Sequence, residues 1–142
     1  MKPKIKTALI SVSDKTDLSK ILKTLKKFNV KIISSGGTYK SIKQLGYTCT
    51  EVSVYTGFKE MLDGRIKTLH PKIHAGILHD RSNKSHSKEM NKQKFPSLDL
   101  IIVNFYPFQK IVTDSKNKKK IIENIDIGGP TMVRSAAKNY KN

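Results

Sequence analysis

Apolar residues recur along this chain in two rhythms, short β-branched runs and steps of three and four, and the two alternate. The run TALISVS (7–13) predicts a first strand. Leu18, Ile21, Leu22, Leu25 and Phe28 then follow at helical spacing, predicting an amphipathic helix within residues 14–28, capped by Ser13 or Thr16. VKIIS (30–34) reads as a second strand, SGG as a turn, and TYKSIKQLG (38–46) as a short helix closed by Gly46. TCTEVS (48–53) predicts a third strand. Residues 54–80 read as irregular, with a helical turn at FKEML and a buried stretch at HAGIL. The polar run 79–94 reads as an exposed loop and helix, and LDLIIVN (98–104) as the clearest buried strand. KNKKK (116–120) is a solvated charge run leading into IIENI. DIGGP (126–130) is a glycine turn, with Pro130 suited to the first turn of a helix reaching Asn139.

Strands alternating with helices predict an α/β sandwich around a mainly parallel sheet. Ligands of such sheets bind beyond the carboxyl ends of the strands. SVSDKT, SSGGT and VNFYPF each follow a predicted strand, so all three are expected to open onto one edge.

Composition narrows the class. The chain has 142 residues, enough for one domain with a real core, and its charged share of 27% suits a soluble protein. Its single cysteine, Cys49, excludes an internal disulfide and fits a reducing compartment. The apolar part of MKPKIKTALISV is too short for a signal peptide, and no run approaches membrane-spanning length, so the expectation is a cytoplasmic protein without membrane association. The net charge of +17 invites a nucleic-acid reading. However, 25 of the 28 cations are lysines spread over nearly every segment, a pattern of solubility and loose association, and no specific nucleic-acid partner is expected.

Local concentrations of chemistry remain. In SSGGT, Ser35, Gly36, Gly37 and Thr38 join a strand to a helix, where close backbone approach and unpaired amides suit a phosphate. A plain tight turn would read the same, and the spacing matches neither a dinucleotide nor a P-loop fingerprint. Ser13, Asp14 and Lys15 offer a hydroxyl, a carboxylate and an ammonium, or simply a helix cap. GRIKTLHPKIHAGIL (64–78) crowds Arg65, Lys67 and Thr68 beside two histidines and an apolar segment. His70 and His74 stand four apart, but Pro71 interrupts the helix that would align them, and no metal is expected there. Lys138, alone, is a favourable charge at a helix C-terminus.

Together, LISVSDKTDL, IISSGGTYKSI, EVSVYTGFKEMLDGRIKTLHPKIHAGIL, VNFYPF and ENIDIGGPTMVRSAAKN resemble the IMP cyclohydrolase domain of the bifunctional AICAR formyltransferase/IMP cyclohydrolase family. The resemblance implies a methylglyoxal-synthase-like, three-layer Rossmann-like domain over 1–142, truncated before a further strand and lacking the formyltransferase domain. It implies ring closure of formyl-AICAR ribonucleotide to IMP with loss of water, in a homodimer. Ring closure needs no cofactor; the absent formyltransferase domain would use 10-formyltetrahydrofolate. Carried over by position, the nucleotide is bound by Ser13, Asp14, Lys15, Ser35, Gly36, Gly37, Thr38, Arg65, Lys67, Thr68, Asn104, Phe105, Asp126 and Ile127. Asp126 with Lys138 is expected to handle protons, and Lys67 with Tyr106 to polarise the formyl group. Tyr140 departs from the histidine usual in the family after AAKN. The alternatives are a triose-phosphate enzyme of the methylglyoxal synthase type, a regulatory nucleotide-binding module of the same fold, and an inactive fragment.

Overall fold

A computed structural model describes residues 4–142; residues 1–3, part of the stretch weighed above as a signal peptide, lie outside the described residues. The elements are β1 (Thr7–Ser11), α1 (Leu18–Lys27), β2 (Lys31–Ser34), α2 (Gly36–Gln44), β3 (Thr50–Glu51), α3 (Val52–Thr56), a 3₁₀ turn (Leu62–Gly64) and α4 (Pro71–Leu78). There follow α5 (Lys84–Gln93), β4 (Leu100–Val103), α6 (Phe108–Asp114), α7 (Lys118–Glu123) and α8 (Gly128–Lys138).

The strands form one parallel sheet in the order β3-β2-β1-β4. Successive side chains of a strand point to opposite faces, so each strand feeds two cores. Ala8, Ile10 and Ile32 meet Leu18, Leu22 and Leu25 of α1 and Ile42 of α2 on one face. Leu9 and Ile33 meet Val52, Ile73 and Ile77, and Met132 of α8, on the other. Helices therefore cover both sides of the parallel sheet that the alternation predicts, giving the three layers that the resemblance implies. Each fully buried side chain, such as Leu22, contributes about 1.5–3 kcal/mol relative to exposure.

The chain steps outward from β1 to β3 and then jumps back to place β4 on the other side of β1. The reversal opens a crevice beyond the carboxyl ends of β1 and β4.

Several local expectations are corrected. α1 begins at Leu18 behind Asp17, which sits in the left-handed region without a side-chain cap; neither Ser13 nor Thr16 caps it. α2 starts at Gly36, so both glycines lie in its first turn rather than before it. The third strand is only Thr50–Glu51, because the Glu51 carboxylate accepts from the Ser53 amide and turns the chain into α3. HAGIL is helical: Pro71 opens α4 instead of breaking it, with His70 as its cap. β4 is half-buried rather than buried, since it forms the sheet edge. α6 was not anticipated.

Candidate functional site

One cavity of about 520 Å³ lies at the carboxyl edge of the sheet. Four separate stretches build it. Ser13 and Lys15 come from the loop after β1, Ser35–Thr38 from the start of α2, Gly64–Thr68 from the loop before α4, and Asp126–Gly129 from the start of α8. Asn104 and Tyr106, after β4, and Ile122 and Glu123, at the end of α7, add to the wall.

Hydrogen bonds explain why the loops meet. Asn104 Oδ1 accepts from the amides of Ser13 (2.6 Å) and Asp14 (3.1 Å), and its Nδ2 donates to the Asp14 carbonyl (2.8 Å). Thr38 Oγ1 accepts from the Val12 amide (3.0 Å) and donates to the Val12 carbonyl (2.9 Å). These side chains, expected to hold a ligand, are already committed to tying β1 to β4 and to α2. The Thr68 hydroxyl lies so close to Gly128 that a Cβ there would be 2.6 Å away. Gly36, at φ +55°, leaves similar room for the Lys67 ammonium, 3.1 Å from where its Cβ would be.

The charged groups are distributed unevenly. Lys15 Nζ donates to the Ser13 carbonyl (3.2 Å) and lies over the α2 N-terminus, 3.9 Å from a notional Gly37 Cβ. Lys67 pairs with Glu60 at 2.8 Å, and Arg65 pairs with Glu123 of α7. Asp126 Oδ1 accepts from the Gly129 amide (2.9 Å), securing the first turn of α8. Ile127 also lines the cavity.

Three expected site residues lie outside the lining. Asp14 turns back to accept from the Thr16 amide and hydroxyl, and these bonds hold its carboxyl below the usual 3.8. Phe105 is about half exposed beside the cavity. Lys138 ends α8, ten residues from Gly128 and so about 15 Å along the helix from the cavity. Just beyond it, Asn142 Oδ1 accepts from the amide of Arg81, whose guanidinium pairs with Asp99. Asp99 in turn accepts from the Lys6 and Thr7 amides at the start of β1. Lys138 is thus at the amino edge of the sheet, and no Asp126–Lys138 pair forms within the chain. The sequence pattern carried no sign of Ile122 or Glu123 in the cavity wall, because IIENI directly follows neither a predicted strand nor a glycine turn.

Among the described residues, no group of three or more His, Cys, Asp or Glu side chains is placed to hold a metal ion. His70 Nδ1 accepts from the Lys72 amide and His74 Nδ1 meets Ser135 Oγ at 3.0 Å, so the two histidines face different tasks. Likewise, no described helix is long and apolar enough to cross a membrane.

Residues 17–131 match the model of the family described as MGS-like domain. The chain belongs to the MGS-like domain family. Over 138 residues this MGS-like domain is 51% identical to a protein of Acetivibrio thermocellus named bifunctional purine biosynthesis protein PurH, covering 96% of the chain and 27% of PurH. The chain therefore spans about a quarter of the length of that relative. The crystal structure of a protein named ForH superposes with a TM-score of 0.82 at 28% identity, covering 96% of this chain and 70% of ForH. The shared architecture extends over nearly all of the MGS-like domain.

Proposed function

We infer that this chain serves purine biosynthesis by binding formyl-AICAR ribonucleotide and closing its ring to give IMP. The observation that carries the reading is a cavity that joins an amide-lined helix start and Lys15 to Lys67, Tyr106 and Asp126. Its volume of about 520 Å³ suits a nucleotide better than a triose phosphate. The 51% identity to a bifunctional purine biosynthesis protein supports the same reading.

The amides of the α2 first turn and the Lys15 ammonium hold the phosphate, where helix dipole and charge act together. Binding folds the carboxamide and formyl arms against one another, and proximity of this kind is worth up to about 7–11 kcal/mol. As the carboxamide nitrogen attacks the formyl carbon, its proton passes to Asp126. Lys67 stabilises the oxyanion that develops on the formyl oxygen. Tyr106 protonates that oxygen to a hydroxyl. Asp126 then returns its proton to the hydroxyl, which leaves as water while the former formamide nitrogen gives its proton to the Tyr106 oxygen and forms the C=N bond. Lys138 enters only across an assembly that carries one copy's α8 end to another's cavity, in the homodimer the resemblance implies.

Following IMP formation by absorbance tests the proposal. Turnover is expected, and Lys67→Met or Asp126→Asn should each slow it about 10²- to 10³-fold. IMP binding without turnover would make the chain a nucleotide-binding module, and failure to bind IMP would remove the nucleotide reading.

A further inference from the structure

The cation meant to meet the developing oxyanion is long and flexible, so something must aim it. Lys67 Nζ sits 2.8 Å from Glu60 Oε1, and its side chain is only 28% exposed. Glu60 itself does not line the cavity, whereas Lys67 does.

The segment 58–70 closes on itself in nested layers. The Phe58 and His70 rings meet outermost, with centroids 5.8 Å apart. Glu60 and Lys67 pair inside them, and the Gly64 amide donates to the Met61 carbonyl innermost (3.0 Å). Leu62 and Asp63 are both left-handed at φ 53°, and Gly64 follows at φ 84°. Two non-glycine residues held in that region mark a backbone kept strained by its surroundings.

The ion pair lies directly on Gly64. A Cβ there would fall 2.0 Å from Lys67 Cε and 2.2 Å from Glu60 Oε1. On the far side, Gly36 leaves room for the same ammonium. Glu60 thus draws the lysine across one glycine and toward the other, at the start of α2.

We propose that Glu60 is the positioning residue of Lys67, holding its ammonium at the α2 turn so that it meets the substrate oxygen in place. The proposal rests on the ring-closure reading of the cavity. Glu60 touches no substrate; it acts through Lys67, and Gly64 supplies the floor on which the two can pair.

The test uses the chain carrying ¹³C/¹⁵N-labelled lysine, with the Lys67 side-chain resonance assigned by its loss in Lys67→Met. In Glu60→Gln the Lys67 signal should move to the position shared by the surface lysines, with Glu60→Asp restoring part of the displacement. Gly64→Ala, whose Cβ would collide with both partners, should displace it as well. In ring closure, Glu60→Gln should lower kcat about 10- to 100-fold while KM changes less than about threefold, as for an interaction stronger in the transition state than in the ground state. A folded Glu60→Gln variant with an unmoved Lys67 signal, or with unchanged kcat in an active wild type, would overturn the proposal. The resonance is read without ligand, so it judges Glu60 separately from the nucleotide reading, which falls instead if the wild-type chain binds no IMP.

Discussion

The hydroxyl of Thr38, a residue only 5% exposed, gives one hydrogen bond and takes another on the same residue, Val12. Replacing it by valine keeps the shape and strands both Val12 backbone groups. An unsatisfied buried group costs about 1–3 kcal/mol, so Thr38→Val should lower unfolding free energy in urea by about 2 kcal/mol, with Thr38→Ser recovering most of it. SSGGT shows residue type and position in the sequence, but the hydroxyl reads there as a ligand for phosphate. Only the fold reveals that β1 consumes it. The same holds for Asn104, whose amide closes on the loop after β1. Cys49 illustrates a different residue-level effect. Burial pushes its thiol up to about 11, with Lys43 opposing and Glu51 adding to the shift. Thiol reagents near neutral pH should therefore modify it much more slowly than a free cysteine.

Among the elements, α4 and α8 are clasped by His74, whose Nδ1 meets Ser135 Oγ across the helix interface. Its Nε2 is buried without a hydrogen-bond partner of good geometry. Burial holds the imidazole below its ordinary 6.5, and the Thr68 backbone offsets part of that fall. The unfolded chain then binds the His74 proton more readily than the folded one. His74 stabilisation is complete above 6.5 and is lost as pH falls toward the lowered folded value. The urea midpoint should drop between about pH 7.5 and about pH 5.5, and His74→Gln should flatten that drop. Asp14 and Asp80, held below 3.8 by Thr16 and Ser82, act in a separate and more acidic window. Most elements were legible because amphipathic spacing is local: Leu18, Leu22 and Leu25 face one core wherever α1 is placed. The third strand was misread for an equally local reason, since β-branched residues suit a strand until the Glu51 side chain captures the Ser53 amide. The half-burial of β4 could not be read from LIIV, because edge or centre depends on which strand it joins.

Across the whole molecule, 28 cations face 11 acidic side chains, and the excess repels itself. Salt should therefore raise the melting temperature between about 0.01 M and about 0.15 M, as the Debye length shrinks from about 30 Å to about 8 Å. On the proposed ring-closure function, IMP affinity should fall over the same range, because the same ions would screen the cavity from an anionic nucleotide. Opposite salt slopes for stability and binding, read by thermal melts and calorimetry, would separate the two effects.

By itself the sequence determined the layered α/β class, the helices that carry an apolar face, and the set of loops ending at the carboxyl edge. Each of these follows from period and turn chemistry within a few residues. Tertiary structure decided which groups in those loops stay free. It spent Thr38 and Asn104 on joining strands, paired Lys67 with Glu60 and Arg65 with Glu123, and carried Lys138 a helix length from Asp126. A side chain's availability depends on partners far away in the chain, and the direction of a helix separates what its ends bear.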